Sequence, residues 1–265
     1  MAAERRLDVA LAERGLARSR SHAAAVIAEG LVTVDGRPAV RPALKVGDDQ
    51  RIEVAGADHY VSRGAHKLIA ALDAFGIDPA GRVALDAGAS TGGFSQVLLE
   101  RGAARVIAVD VGHGQLSPVL AGEDRLRSYE GVNVRSLTAD ALASLTGDDA
   151  RPDLVVADLS FISLTQVLPA LVATAARGAD FVVLIKPQFE VGRQGIREGV
   201  VKDAGLRADA VSDVLWAAHD AGLGTAGLIA SPIAGGHGNR EFLAWLRSGA
   251  PDPSERREEI ARLSR

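Results

Sequence analysis

From Val83 onward the chain repeats one pattern that leaves few folds open to it: short apolar runs alternating with helical stretches. RVALDAG, RVIAVDVG, DLVVADLS, ADFVVLIKP and GTAGLIASP are runs of Val, Ile, Leu and Ala. Between them lie GGFSQVLLERG, LTQVLPALVATAARG and DAVSDVLWAAHDAG, and NREFLAWLRSG closes the series. A strand apolar at consecutive positions is buried on both faces, which requires helices on both sides of its sheet. The alternation therefore predicts an α/β fold, doubly wound around a largely parallel sheet.

The residues before this series read differently. Leu7, Ala10 and Leu11 share one helical face that breaks at Gly15. Ala23, Val26 and Ile27 share a second that stops at Gly30, with Ser19 or Ser21 as its N-cap. LVTVDGRPAV alternates as a strand and turns at Asp35-Gly36, and ALKVGDDQRIEV predicts another strand pair around Gly47-Asp48. Two helices and a few strands make a small α+β module over residues 1–57. A short polar junction, 58–62, leads to the larger domain at 63–250, and a charged tail at 251–265 reads as a short exposed helix or arm. At the start of the larger domain, Ser62 is placed to cap a helix, RGAHKLIAALDAFG, that turns Leu68, Ile69, Leu72 and Phe75 inward.

Composition removes several function classes. Hydrophobic residues make up 47% of the 265 and charged residues 24%, so the chain is globular. It has no cysteine, which excludes a disulfide framework and a thiol nucleophile. No run approaches the roughly 18 apolar residues of a membrane span, and the N-terminus lacks the apolar core of a signal peptide. A cytoplasmic protein without a membrane or a metal site is expected. Net charge is −4, so any nucleic-acid site must be a local basic patch.

VALDAGASTGGFSQVLLE carries the first chemistry. A strand ends in Asp86, and a glycine-rich turn follows through Gly88, Ala89, Ser90, Thr91, Gly92 and Gly93. A helix then begins near Phe94. In such sheets ligands bind at the carboxyl ends of the strands, where glycines let the backbone approach them. The spacing is not that of a dinucleotide site, although a nicotinamide enzyme remains the structural competitor. Asp86 suits an ammonium or hydroxyls. Asp110, ending the next strand, suits a pair of ribose hydroxyls, and Asp140 is placed for an adenine amino group. Each alone is as readily a cap or turn residue. In series they fit S-adenosylmethionine.

Two later strands end in Asp158 and Lys186, and neighbouring strands would bring these to one edge of the cleft. Pro187 restricts Lys186 to an extended conformation. Lys67 lies on an otherwise apolar helix and Glu241 in GHGNREFLAW. Taken singly, each of these charges is more often a solvated surface group.

Taken together, VSRGAHKL, DAGASTGGF, DLVVADLSFISL, KPQFEVGR and GNREF resemble the TlyA (hemolysin A-like) ribosomal RNA 2′-O-methyltransferases over nearly the whole chain. That family joins an S4-type RNA-binding domain to an FtsJ-like, Rossmann-like class I methyltransferase domain. The resemblance implies Lys67, Asp158, Lys186 and Glu241 as catalytic residues, with Asp158 also facing the cofactor. It implies Arg6, Arg18, Arg20 and Arg41 as RNA contacts. The implied acceptor is a cytidine of large-subunit ribosomal RNA in ribosomal subunits. The arginine-bearing tail leans toward the longer family members that modify the small subunit as well. DNA is not an implied partner.

A ribose hydroxyl must lose its proton as it attacks a methyl group. An ordinary lysine, with pKa ~10.4, holds its own proton at neutral pH. Lys67 and burial would lower the Lys186 value, while Asp158 and Glu241 would oppose that shift. The chain departs from the family at Asp58-His59-Tyr60-Val61, where actinobacterial relatives carry Arg-x-Trp-Val. It departs also at Glu4 and at His113, where a tyrosine is usual. The competing functions are an RNA-binding module without catalysis, a pseudouridine synthase and a membrane-active hemolysin.

Overall fold

A computed structural model describes residues 4–17, 19–28, 30–54, 59–192, 195–196, 198–235 and 238–265. The chain separates into two compact units, Met1–His59 and Tyr60–Arg265.

The first unit runs β1 (Arg5–Arg6), α1 (Leu7–Glu13), α2 (Arg20–Ala28), β2 (Val32–Val34), β3 (Arg37–Pro38), β4 (Lys45–Val46) and β5 (Ile52–Val54). Leu7, Leu11, Ile27 and Val32 are fully buried, and Val26, Val46 and Ile52 pack around them. The α2 N-cap is Ser19, whose hydroxyl accepts from His22 N at 3.2 Å. Asp35 and Gly36 both take positive φ, 51° and 75°, as a type I′ hairpin turn between β2 and β3 demands. Around Gly47-Asp48 the outcome differs from the expected pair. Both strands form, but β4 pairs with β1 and β5 with β2. Their partners lie far away in sequence, beyond the reach of a local pattern.

The second unit begins with α3 (Gly64–Phe75) and continues through β6 (Val83–Ala87), α4 (Gly93–Glu100), β7 (Arg105–Asp110), β8 (Leu126–Glu130) and α5 (Ala139–Thr146). It goes on with β9 (Leu154–Ala157), α6 (Leu168–Thr174), β10 (Asp180–Ile185), α7 (Pro187–Glu190), α8 (Ala204–Asp220), β11 (Gly224–Ala230), β12 (Phe242–Arg247) and α9 (Arg257–Leu263). The described strands form a seven-stranded sheet of order β11-β12-β10-β9-β6-β7-β8. All pairings are parallel except those of β12, which runs against both β10 and β11.

Burial on both faces is the physical reason for the apolar runs. Leu85, Ile107, Val155 and Val183 pack under α5, α6, α8 and α9, whereas Ala84, Val106, Val156 and Val182 pack under α3 and α4. Two elements depart from expectation. Ser62 serves the start of α3 through its main-chain carbonyl, which accepts from Ala65 N, and no side chain caps that helix. The terminal stretch is helical but is not a free arm, because Ile260 is buried in the main core and Arg207 donates to the Ser264 carbonyl at 2.7 and 3.0 Å.

Candidate active site

The chain leaves β6 on one side toward β7 and β8 and returns on the other to β9. The carboxyl ends of β6 and β9 therefore flank a topological switch point, where ligands of open α/β sheets bind. A cleft of about 540 Å³ opens there, lined by Gly88, Ser90, Asp110, Gln115, Asn133, Asp158, Ser160 and Phe161 among others. Gly88 takes φ +83°, and a Cβ on it would come within 2.7 Å of the Asp158 carbonyl oxygen. Only glycine lets the two strand ends approach this closely. Of the remaining turn residues, Ser90 faces the cleft. Ala89, Gly92, Gly93 and Phe94 are buried beneath the turn, and Thr91 is half-buried, its carbonyl accepting from Ser117 N.

Asp110 organises the floor. Its Oδ2 accepts from Ser90 N at 2.8 Å and its Oδ1 from Gly112 N at 2.7 Å. Each oxygen keeps a further lone pair for a ligand hydroxyl. Asp86 lies behind the turn with no solvent exposure. Its Oδ2 accepts from Ser95 Oγ at 2.7 Å, while Oδ1 has no hydrogen-bond partner. Burial pushes this carboxyl up to about 7; the Ser95 hydrogen bond opposes the shift, and the nearby Asp158 and Asp110 carboxylates add to it.

Asp140 is not among the residues that line the cleft. It is exposed in the first turn of α5, because the chain leaves β8 and spends Val134–Ser136 in a 3₁₀ turn first. Val132, Asn133 and Val134 form the cleft wall at that end.

At the opposite end Lys186 has φ −113° and ψ 98°, extended as Pro187 requires, and it starts α7. Its Nζ lies 2.6 Å from Asp158 Oδ1 as an ion pair. The aligned hydrogen bond from that Nζ goes instead to Ser160 Oγ, at 2.9 Å. A second ion pair is more deeply buried: Lys67 Nζ on α3 meets Glu241 Oε2 at 2.6 Å, just before β12. Gln188 links the two pairs in sequence and space, donating from Nε2 to Glu241 Oε1 at 3.3 Å two residues after Lys186. The Asp158 side also closes on α3, since a Cβ on Gly64 would lie 3.8 Å from Asp158 Oδ2. Glu190 fastens α7 to the loop after β9, accepting from Ser163 Oγ at 2.5 Å and Leu164 N at 3.0 Å. Burial raises the Glu190 carboxyl above its ordinary value.

Phe161 and Phe189 make an aromatic rim with ring centroids 5.1 Å apart. Phe161 is 91% exposed and has φ +64°. Gln115, Asn133, Ser160, Phe161, Gln188 and Glu190 were not singled out from sequence, although four of them lie within DLVVADLSFISL and KPQFEVGR.

In the first unit, Arg6 and Arg20 converge on one carboxylate. Arg6 grips Asp8 with two hydrogen bonds of 2.9 and 3.0 Å, and Arg20 Nη2 reaches Asp8 Oδ2 at 3.4 Å. The guanidinium of Arg6, outweighing the effect of burial, holds the Asp8 carboxyl down at about 2. Arg41 is exposed and precedes Pro42, whose carbonyl accepts from Asp8 N at 3.1 Å. Arg18 and Asp58 lie outside the described residues.

Comparison with known proteins agrees with this architecture. Residues 60–248 match the family of FtsJ-like methyltransferases and residues 5–52 match the S4 domain. The chain is 52% identical over 251 residues to the 16S/23S rRNA (cytidine-2′-O)-methyltransferase TlyA of Mycobacterium tuberculosis, covering 94% of this chain and 91% of that one. It is 37% identical over 240 residues to Hemolysin A of Brachyspira hyodysenteriae, covering 90% and 98%. A solved structure described as a candidate hemolysin from Streptococcus thermophilus superposes with a TM-score of 0.77 at 37% identity, covering 100% of this chain and 96% of that one. No described helix is long and apolar enough to cross a membrane. The switch-point cleft, the lone antiparallel β12 and the S4 module thus meet in one lineage, and the chain belongs to the FtsJ-like methyltransferases that carry an N-terminal S4 domain.

Proposed function

We propose that this protein methylates a ribose 2′-hydroxyl of ribosomal RNA, a cytidine within ribosomal subunits, with S-adenosylmethionine as donor. The observation that carries the reading is the meeting of Lys186, at 2.6 Å, with Asp158, which lines a cleft at the switch point. The cleft residues fit that donor. Asp110 offers free lone pairs for ribose hydroxyls. Gly88 and Ser90 give close backbone approach, and Val132 and Val134 offer apolar surface for a base. Asp140 falls outside this set.

When bound, the donor supplies an activated methyl on a sulfonium. The 2′-oxygen attacks that carbon; the O–C bond forms as the C–S bond breaks, the electron pair goes to sulfur, and the hydroxyl proton leaves. Lys186 orients the hydroxyl and takes its proton once its own Nζ is neutral, and Asp158 fixes Nζ at the rim. Lys67 and Glu241 complete the proposed catalytic set with Lys186 and Asp158, and their buried ion pair ties α3 to the residue before β12. In-line positioning contributes most of the rate enhancement in such a design. In the S4 unit Asp8 pre-sets the Arg6 and Arg20 guanidinium groups, and with Arg41 and Arg18 these are the proposed phosphate contacts.

The test is transfer from labelled S-adenosylmethionine to ribosomal subunits and 70S particles lacking the modification, mapped by resistance to alkaline cleavage. A protected cytidine ribose in one or both subunits is expected, with Lys186→Ala abolishing transfer while the cofactor still binds. Cofactor binding with no protected ribose would overturn the acceptor. Absence of cofactor binding would leave an RNA-binding module.

A further inference from the structure

We propose that Ser160 is a positioning residue for Lys186: its hydroxyl oxygen fixes the rotation of Nζ so that the nitrogen presents a remaining direction to the reacting hydroxyl. The proposal rests on the methyl transfer set out above. A lysine nitrogen has three positions for hydrogens and spins freely about its last bond unless acceptors hold it. Asp158 alone cannot hold it, because the 2.6 Å contact is an ion pair without hydrogen-bond alignment. The aligned acceptor is Ser160 Oγ at 2.9 Å. The face of the Phe189 ring lies 5.9 Å from Nζ, a weak cation–π contact. Ser160 Oγ therefore fixes one of the three directions, the Asp158 carboxylate holds Nζ in place by charge, and a direction not taken by Ser160 is left for substrate.

Ser160 can do this because its loop is pinned at both ends. At one end Asp158 N donates to the Ala87 carbonyl at 3.1 Å. At the other, Glu190 accepts from Ser163 Oγ and Leu164 N, and Glu190 lies on the short helix that Lys186 itself begins. The serine and the lysine it addresses are thus fastened to each other a second time, four residues beyond Lys186. A hydroxyl on a loose loop would follow the ammonium rather than direct it.

The experiment compares wild type, Ser160→Ala and Ser160→Thr for transfer to ribosomal subunits, with cofactor affinity measured by calorimetry on the same preparations. Loss of the fixed direction should lower kcat of Ser160→Ala by about 10- to 100-fold, as small misplacements of a reacting group do. Its KM for the subunit and its cofactor affinity should stay within about twofold, and Ser160→Thr, which keeps the oxygen, should recover most of kcat. Three results would overturn the proposal: an unchanged kcat in Ser160→Ala, equal impairment of both variants, or a loss confined to KM or cofactor affinity. Failure of the underlying reaction is told apart by the controls. In that case wild type transfers no methyl to ribose, or Lys186→Ala transfers as well as wild type.

Discussion

Lys67 and Glu241, 174 positions apart in the chain, form an ion pair of 2.6 Å from which solvent is almost excluded. Removing one partner strands a buried charge, which typically costs 3–5 kcal/mol, whereas replacing both with apolar groups is often neutral. Lys67→Met is therefore expected to lose about 3 kcal/mol in denaturant unfolding. The double variant Lys67→Met/Glu241→Leu should regain most of that loss yet remain inactive. Recovery of activity along with stability in the double variant would assign the pair a purely structural role.

Asp86 ties pH to stability. Its folded-state carboxyl is pushed up to about 7 from an ordinary 3.8. Between those values the folded chain holds a proton that the unfolded chain has released, so stability falls as pH rises from 3.8 to about 7 and levels off above. Asp86→Asn removes this slope. The variant should match wild type near pH 4 and exceed it increasingly up to pH 7, with on the order of 4 kcal/mol as a ceiling. Chemical denaturation at several pH values measures the difference directly. A gap independent of pH would show that Asp86 does not titrate in this range.

The strand runs were legible in the sequence because burial on two faces forces apolar residues at consecutive positions, and the ends of β9 and β10 could be aligned from that alone. The edge strand β8 was not legible. It exposes Arg127 and Ser128 to solvent and so carries no apolar run. With β8 between Asp110 and Asp140, Asp140 falls in the first turn of α5 and does not end a strand. β12 was ambiguous for another reason: Phe242, Leu243, Ala244 and Leu246 are all buried, and a short run buried on both faces has no period to read. Ser160, Gln188 and Glu190 were beyond reach because each acts through a partner supplied by the tertiary fold.

Gly88→Ala tests how closely the cleft is built. A φ of +83° is strained for any residue with a Cβ, and here that Cβ would press on the Asp158 carbonyl at 2.7 Å. Backbone strain of this kind costs about 1–3 kcal/mol. Because the obstacle is main chain at the end of β9, it cannot rotate away, and relief must displace Asp158. The expected outcome is a destabilisation of that size together with at least a roughly tenfold loss of cofactor affinity, about 1.4 kcal/mol. Normal affinity in a destabilised variant would mean that the turn moves independently of Asp158.

Phe161 separates function from stability most sharply. A phenylalanine at φ +64° and 91% exposure is unfavourable twice, through its backbone and through its bare ring. Replacing it by glycine relieves about 1–2 kcal/mol of left-handed strain, while losing the ring contact with Phe189, worth about 0.5–1.5 kcal/mol. The two nearly cancel, so Phe161→Gly should unfold within about 1 kcal/mol of wild type. An exposed ring beside the cleft is a stacking surface for a base drawn out toward Lys186, and such stacking contributes about 1–3 kcal/mol per base. KM for the ribosomal subunit should accordingly rise by roughly tenfold or more, with Phe161→Trp close to wild type. If instead Phe161→Gly methylates subunits with unchanged KM and kcat, the ring does not meet the RNA, and its strained exposure requires a different partner.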